Sequence, residues 1–473
     1  MLLALSVGAK EIDGAELNPS LPSLVRKYRD FCGPVYDYKN VNLEVAEGRS
    51  YLARSDKQYD LIYMALTKTA TTASHSMALT ESYANTTEAF QEYYRRLTDD
   101  GALAFICQQR PILLRAFTTA WLAVQREAKV DPVQAAAYLA VVDVGLAQSI
   151  AGPYRHLLIM TKRPLTRERS AELAKSAVAW GQEPAFFPGA FEQFPFAATR
   201  QKAMTPEEFV TRVNNAAAFP PGLRVNFAPC PDDRPFVVDL TFGIPSQFWS
   251  LALAALLLVA VLSFLAWPTI RAHGGSSARA FAAQVVYFSL LGAGFMLIEV
   301  ALIQKLILYL GYPVLSLSVI LFALLLGGSL GSLYSQRWEA AVLPRRLPWA
   351  GGMAVAWGVI LLAVIPSVMS GTLRLGIEVR SLLTMVMLLP LAGCLGVMFP
   401  SGLRLLSRQG PGAVPWMWGV NGLTSVAGSV LAMILAKFWG FSAVLLLGLG
   451  LYALVVVLIK LGWAFPATEE GRR

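Results

Sequence analysis

The sequence predicts two unlike parts: an α/β domain over residues 1–183 and an all-α, multi-span membrane domain over 247–473, with a connector at 184–246. Three observations predict this. Hydrophobic residues make up 55% of the 473, and the mean hydropathy is +0.50, which points to a membrane protein. Charge is unevenly shared: residues 1–246 carry 26 Lys+Arg and 26 Asp+Glu, whereas 247–473 carry 14 and 5, so the net charge of +9 belongs to the second part. Apolar residues alternate with strand and helix periods in the first part, and run on for about 20 residues at a time in the second.

Within the first part, Met1–Leu5 reads as helix, and strands are expected at 11–16 (EIDGAE), 41–46 (VNLEVA), 59–65 (YDLIYMA) and 102–107 (ALAFIC). Their alternation with helices predicts a parallel sheet. Residues 86–97 place Phe90, Tyr93, Tyr94 and Leu97 on one helical face, and the turn residues Asp99-Asp100-Gly101 are expected to stop that helix. A helix near 111–127, strands near 136–144 and 155–161, and a helix near 165–180 follow, the late strands adding an antiparallel edge. The Pro- and Phe-rich connector ends in "PCPDDRPFVVDL".

Seven stretches then have the length and apolarity of spans: 248–267, 281–302, 313–334, 347–368, 381–401, 414–436 and 439–460. Two are rich in small residues, GGSLGS at 327–332 and GLTSVAGS at 422–429, and are expected to be helix-packing faces. The segments between spans carry four Lys/Arg on the side of the α/β domain and ten on the other, which would place that domain outside the cell. An intracellular cofactor would require the cytoplasmic side of a bacterial inner membrane instead, and the α/β domain is expected there.

Several classes are disfavoured. The four cysteines, at 32, 107, 230 and 394, form no C-x-x-C pair and have no histidine cluster nearby, so neither a disulfide framework nor a zinc site is expected. The basic balance sits on the flanks of the spans rather than in an aromatic-studded patch, so no nucleic-acid partner is expected. The first residues lack the pattern of a secretory signal.

Three places can carry chemistry. Glu16 ends a strand, where a carboxylate can accept both hydroxyls of a ribose. Glu47 and Gly48, in "VAEGRSYL", follow the next strand; the acid could accept from an adenine amino group, with the glycine allowing close backbone approach. The strand at 59–65 opens into a polar loop with Lys68, His75, Glu81 and Tyr83 in reach, and Glu81 and His75 are the candidate acid–base residues. The open alternatives are a surface Glu16, a helix-start role for Glu81 and a solvated His75.

The segments "GAKEIDGAELNP", "AEGRSYL", "YDLIYMAL", "ALTESYANTTEAF" and "LTDDGALAFI" resemble the spermidine synthase-like (polyamine aminopropyltransferase) family. "GFMLIEVALIQKLILYLGYPVLSLSVILFALLLGGSLGS", "MFPSGLRLL" and "VPWMWGVNGLTSVAGSVLA" resemble its branch fused to membrane helices. The resemblance implies a class I methyltransferase-like (Rossmann-type) α/β domain that takes decarboxylated S-adenosylmethionine or S-adenosylmethionine and a small amine such as a diamine. It implies that Glu16 is the ribose acid and Glu47 the adenine-side acid. It also implies that the first strand and glycine loop, which in the family stand before the helix at Met1, are missing, so that the chain is N-terminally truncated and its sheet has unpaired neighbours. The family's two aspartates after the fourth strand correspond here to Ala65 and Lys68, neither of which can hold an amine's charge.

A second reading gives the function to the helices, as transport or sensing, with a vestigial nucleotide-binding domain. Glu299, Gln304 and Asn421 lie in or near spans. Pairing of Glu299 with Lys305 is the bland alternative.

Overall fold

A computed structural model describes residues 1–65, 81–107, 109–143, 156–216, 219, 223–245, 248–254, 257, 261, 278–311, 313–408 and 413–465. The chain divides into two compact units, Met1–Pro245 and Ser246–Arg473. The segment expected as a connector is therefore built into the first unit up to Pro245: it supplies two strands and two helices, and its end is bonded to the α/β core.

The first unit begins with α1 (Leu2–Ser6), β1 (Ile12–Glu16), α2 (Ser20–Lys27), β2 (Val41–Val45), α3 (Gly48–Arg54) and β3 (Tyr59–Ala65). It continues with α4 (Thr87–Arg95), β4 (Leu97–Cys107), α5 (Arg110–Ala128), β5 (Leu139–Asp143), β6 (His156–Thr161), α6 (Arg167–Ala179), β7 (Glu183–Phe187), β8 (Phe191–Glu192) and α7 (Pro206–Asn215). Strands therefore form close to where the alternation of apolar residues puts them. α4 stops at Arg95, before Asp99-Asp100-Gly101, and although β4 starts at Leu97, its regular pairing runs over the expected 102–107. The register with β3 passes directly from Tyr59–Leu97 to Leu61–Ala102, so the turn-forming residues make a bulge. The two aspartates face Arg163, and Gly101 lies so close to β3 that a Cβ there would sit 2.7 Å from the Tyr59 carbonyl.

The strands make two sheets, not one. β1 and β2 pair in parallel by themselves, and the other six follow the order β3-β4-β6-β5-β7-β8. β3 and β4 are parallel, while β6 runs antiparallel to both β4 and β5. No strand-to-strand hydrogen bonds join β1 to β3. Side chains do so instead: Asp13 accepts from Tyr59 Oη at 2.9 Å and from Lys57 Nζ at 3.0 Å.

The main core lies on one face of the six-stranded sheet. Phe90 and Tyr93 of α4, Phe117 and Trp121 of α5, and Phe209 and Val213 of α7 are packed there against Leu103, Phe105, Val141 and Leu158. The opposite face is covered by α6 over β5 and β7, where Leu173, Ala174 and Ala177 pack on Ala140, Val142 and Phe187. Over β3 the same face is bare, with Leu61 57% and Tyr63 54% exposed.

The second unit contains α8 (Ala278–Leu310), α9 (Pro313–Gln336), α10 (Leu343–Thr372), α11 (Ile377–Ser407), α12 (Val414–Trp439) and α13 (Phe441–Lys460). Each is long and apolar enough to cross a membrane. Most of the expected first span, 248–267, lies outside the described residues, so six rather than seven long apolar helices are counted among those described. Glycines set the closest approaches: a Cβ at Gly331 of α9 would fall 2.0 Å from the Gly393 carbonyl of α11, and one at Gly428 of α12 would fall 2.9 Å from Ala293 Cα of α8. Backbones can meet this closely only where no side chain intervenes.

Candidate functional site

The carboxyl ends of the parallel strands β1 and β2 carry Glu16 and Glu47 side by side. Glu16 is the last residue of β1. Its Oε1 accepts from Asn18 N at 2.9 Å, closing the turn into α2, and its carbonyl accepts from Ala46 N at 3.0 Å, tying the ends of β1 and β2 together. Glu47 follows directly and caps α3, accepting from Arg49 N at 3.1 Å and Ser50 N at 2.7 Å. Two of its lone pairs are thus committed to its own helix. Gly48 faces open space, since a Cβ there would meet nothing within 4 Å.

Arg49, missed in the sequence reading, organises the rest. Its side chain forms a bidentate pair with Asp232 at 2.6 and 2.7 Å and also donates to the Tyr83 carbonyl at 2.9 Å. Burial works against its charge, but the carboxylate more than offsets that. Asp232 also accepts from Thr86 Oγ1 at 2.6 Å, and its backbone N donates to Glu88 at 2.9 Å. Further on, Ser82 N donates to the Pro235 carbonyl and Thr87 N to that of Cys230, so 230–235 runs along the start of α4. Arg115, buried in α5, anchors the same stretch by donating to the carbonyls of Asn226, Phe236, Val237 and Asp239. The only sequence signal for all this is "PDDRPF", charges set between prolines in an apolar stretch.

Glu81 lies within this polar group. Burial pushes its carboxyl up to about 7. Glu88 is also raised, first by burial and then by the charge of Asp232. Beside them, Tyr83 is held well above its usual range by burial and by the charges of Glu81, Asp232 and Asp233. Asn85 is buried, and its Oδ1 has no hydrogen-bond partner among the described residues. The cluster is therefore rich in acceptors and negative charge, and its buried cation Arg49 is already bound to Asp232. Such a site suits a ligand that brings N–H donors and positive charge. Among the described residues, no group of three or more His, Cys, Asp or Glu side chains is arranged to hold a metal ion.

The structure thus links Glu47 and Gly48 to Glu81 through Arg49 and Tyr83, and joins Glu16 to them through the β1–β2 pair. His75 and Lys68 lie outside the described residues.

No family model matches the chain, and no curated protein sequence matches it. Among solved structures it is similar to the crystal structure of spermidine synthase from Thermotoga maritima, with 15% identity and a TM-score of 0.25. The match covers 44% of this chain and 61% of that synthase, so the chain spans less than two thirds of it. A likeness that loose assigns no activity, and the functional reading rests on the residues themselves.

Proposed function

We propose that the first unit transfers an aminopropyl or methyl group from decarboxylated S-adenosylmethionine or S-adenosylmethionine to a small amine such as a diamine, in a chain held in a bilayer by its helices. The observation that carries this reading is Glu81: a part-buried carboxyl pushed up to about 7, beside Tyr83 and the acceptor groups around Asp232. Glu16 fits the ribose, because Oε1 is engaged by Asn18 N while the second oxygen remains for a hydroxyl. Glu47 retains lone pairs beyond its two capping bonds for the adenine amino group, and Gly48 leaves space beside it. When bound, the sulfonium supplies a carbon activated toward a nucleophile. Glu81 in its ionised form holds the amine and takes the proton that the nitrogen sheds as its lone pair forms the new C–N bond; the electrons of the broken C–S bond stay on sulfur. His75 is the alternative base. With an intracellular donor, the first unit lies on the cytoplasmic side.

The test is transfer of a labelled group to a diamine by the full chain in detergent. The rate should rise with pH through about 7 as Glu81 loses its proton. Glu81→Gln should lower it at least 100-fold, on the order expected for loss of a general base, and should flatten the pH profile. A His75→Gln enzyme with those losses, beside an unaffected Glu81→Gln, would move the base to His75. Glu16→Ala should weaken sulfonium binding by about 10- to 100-fold in calorimetry. Absence of any heat with either sulfonium would reject the proposal.

A further inference from the structure

Glu299 stands well inside α8, whose apolar stretch runs from Ala280 to Leu310. At a rise of about 1.5 Å per residue it lies about 9 Å along the axis from Lys305, the nearest cation on the helix. Six residues are about 240° of rotation, so the two side chains leave α8 in different directions. Lys305 donates instead to Ser442 Oγ of α13 at 2.6 Å. Pairing between Glu299 and Lys305 is thereby replaced by a different contact.

Glu299 is half-buried and has no hydrogen bond or ion pair among the described residues. Four helices pack on α8. From α12 comes Lys437, which lies over the Phe438 ring; from α13 come Tyr452, placed beside Gly294, and Lys460 at the far end. From α9 comes Tyr334, and from α11 come Glu378, Cys394, Arg380 and Arg404. Arg380 donates to the Tyr309 carbonyl, and Arg404 to the carbonyls of Ser335 and Trp338. None of these groups is bonded to Glu299. A single carboxyl in hydrocarbon, with no cation or donor bonded to it among the described residues, cannot coordinate a dehydrated metal ion by itself, whereas a proton needs only the carboxyl.

We propose that Glu299 is a proton-binding site inside the membrane unit, a single carboxyl that takes up and releases a proton between the helices. This rests on reading α8 as spanning a bilayer. The test uses the full chain in phospholipid vesicles, treated with dicyclohexylcarbodiimide, a lipid-soluble reagent that adds to protonated carboxyls, and in parallel with a water-soluble cationic carbodiimide. Peptide mass spectrometry should find the whole lipid-soluble reagent added to Glu299 near neutral pH, at least about tenfold more than the water-soluble one adds there. Glu299→Gln should lose that mark while other labelled carboxyls keep theirs. Absence of the lipid-soluble mark from Glu299 in the native chain, or equal marking by both reagents, would overturn the proposal. Recovery of the chain in the aqueous fraction without detergent would reject the membrane reading itself, a separate result.

Discussion

The two-stranded and six-stranded sheets of the first unit arise from the same alternation of strand and helix, but they are held differently. The larger sheet is sandwiched between α4, α5 and α7 on one side and α6 on part of the other, and its core includes fully buried Trp121, Phe117 and Tyr93. Around the smaller sheet only Ile12, Val41 and Ala46 are buried hydrophobics, while Leu2, Leu3, Val7 and Phe31 are exposed, the last at 91%. Each exposed apolar side chain forgoes about 1.5–3 kcal/mol of burial. The lesson is that strand pairing alone does not stabilise a sheet; it must also cover a face and close its edges. α3 bridges the halves, with Leu52 in the large core and Arg49 locked to Asp232.

Substitutions and exchange measurements test this contrast. The largest losses should come from the well-packed half. Trp121→Ala should cost about 3–5 kcal/mol in denaturant unfolding, as expected for a large side chain removed from a core. Asp232→Ala should cost a similar amount, about 3–5 kcal/mol, because it leaves Arg49 buried without its counter-charge. A loss below about 1 kcal/mol in both would show that the two halves are equally loose. Next, hydrogen exchange by mass spectrometry should find β1 and β2 amides exchanging at least about 100-fold faster than those of β4 and β6. Matching rates would mean that the sheets open as one.

Smaller is the effect of Asp13→Asn, about 1–2 kcal/mol, read as faster exchange in β1 alone. Here pH gives opposite signs in the two regions. Burial pushes Asp13 up, but hydrogen bonds from Asn42, Lys57 and Tyr59 hold it below its ordinary 3.8. Its stabilising contribution is therefore complete above 3.8 and is lost as pH falls through the lower folded-state value. Glu81 is shifted the other way, so the folded state keeps its proton up to about 7, and stability drawn from it declines as pH rises from about 4.5 to about 7. Glu81→Gln should remove that decline. The smallest change is expected for Leu61→Ser and Tyr63→Ser on the uncovered face, within about 0.5 kcal/mol; a loss above about 2 kcal/mol would show that something covers that face after all.

Local pattern made much of the fold legible. The apolar alternation of Tyr59–Ala65 and the helical face of Phe90, Tyr93 and Tyr94 coincide with β3 and α4, because a period of two or 3.6 is a property of neighbouring residues. Asp99-Asp100-Gly101 act locally too: they break the β3–β4 register between Leu97 and Ala102 as a bulge inside the longer strand. At the candidate site, the positions of Glu16 and Glu47 at strand ends are legible from the local pattern. Arg49 is not, although it stands two residues after Glu47, because its partner is 183 residues away.

By itself, then, the sequence determined the division into a charged α/β part and an apolar helical part, together with most strands and helices, since composition and periodicity are read over short windows. Tertiary structure alone decided that the strands form two sheets, that residues 230–235 run along the start of α4 beside Arg49, and that Lys305 meets Ser442 rather than Glu299. Each of these depends on which distant backbone edges and charges come within about 3 Å of one another, and no local pattern encodes that distance.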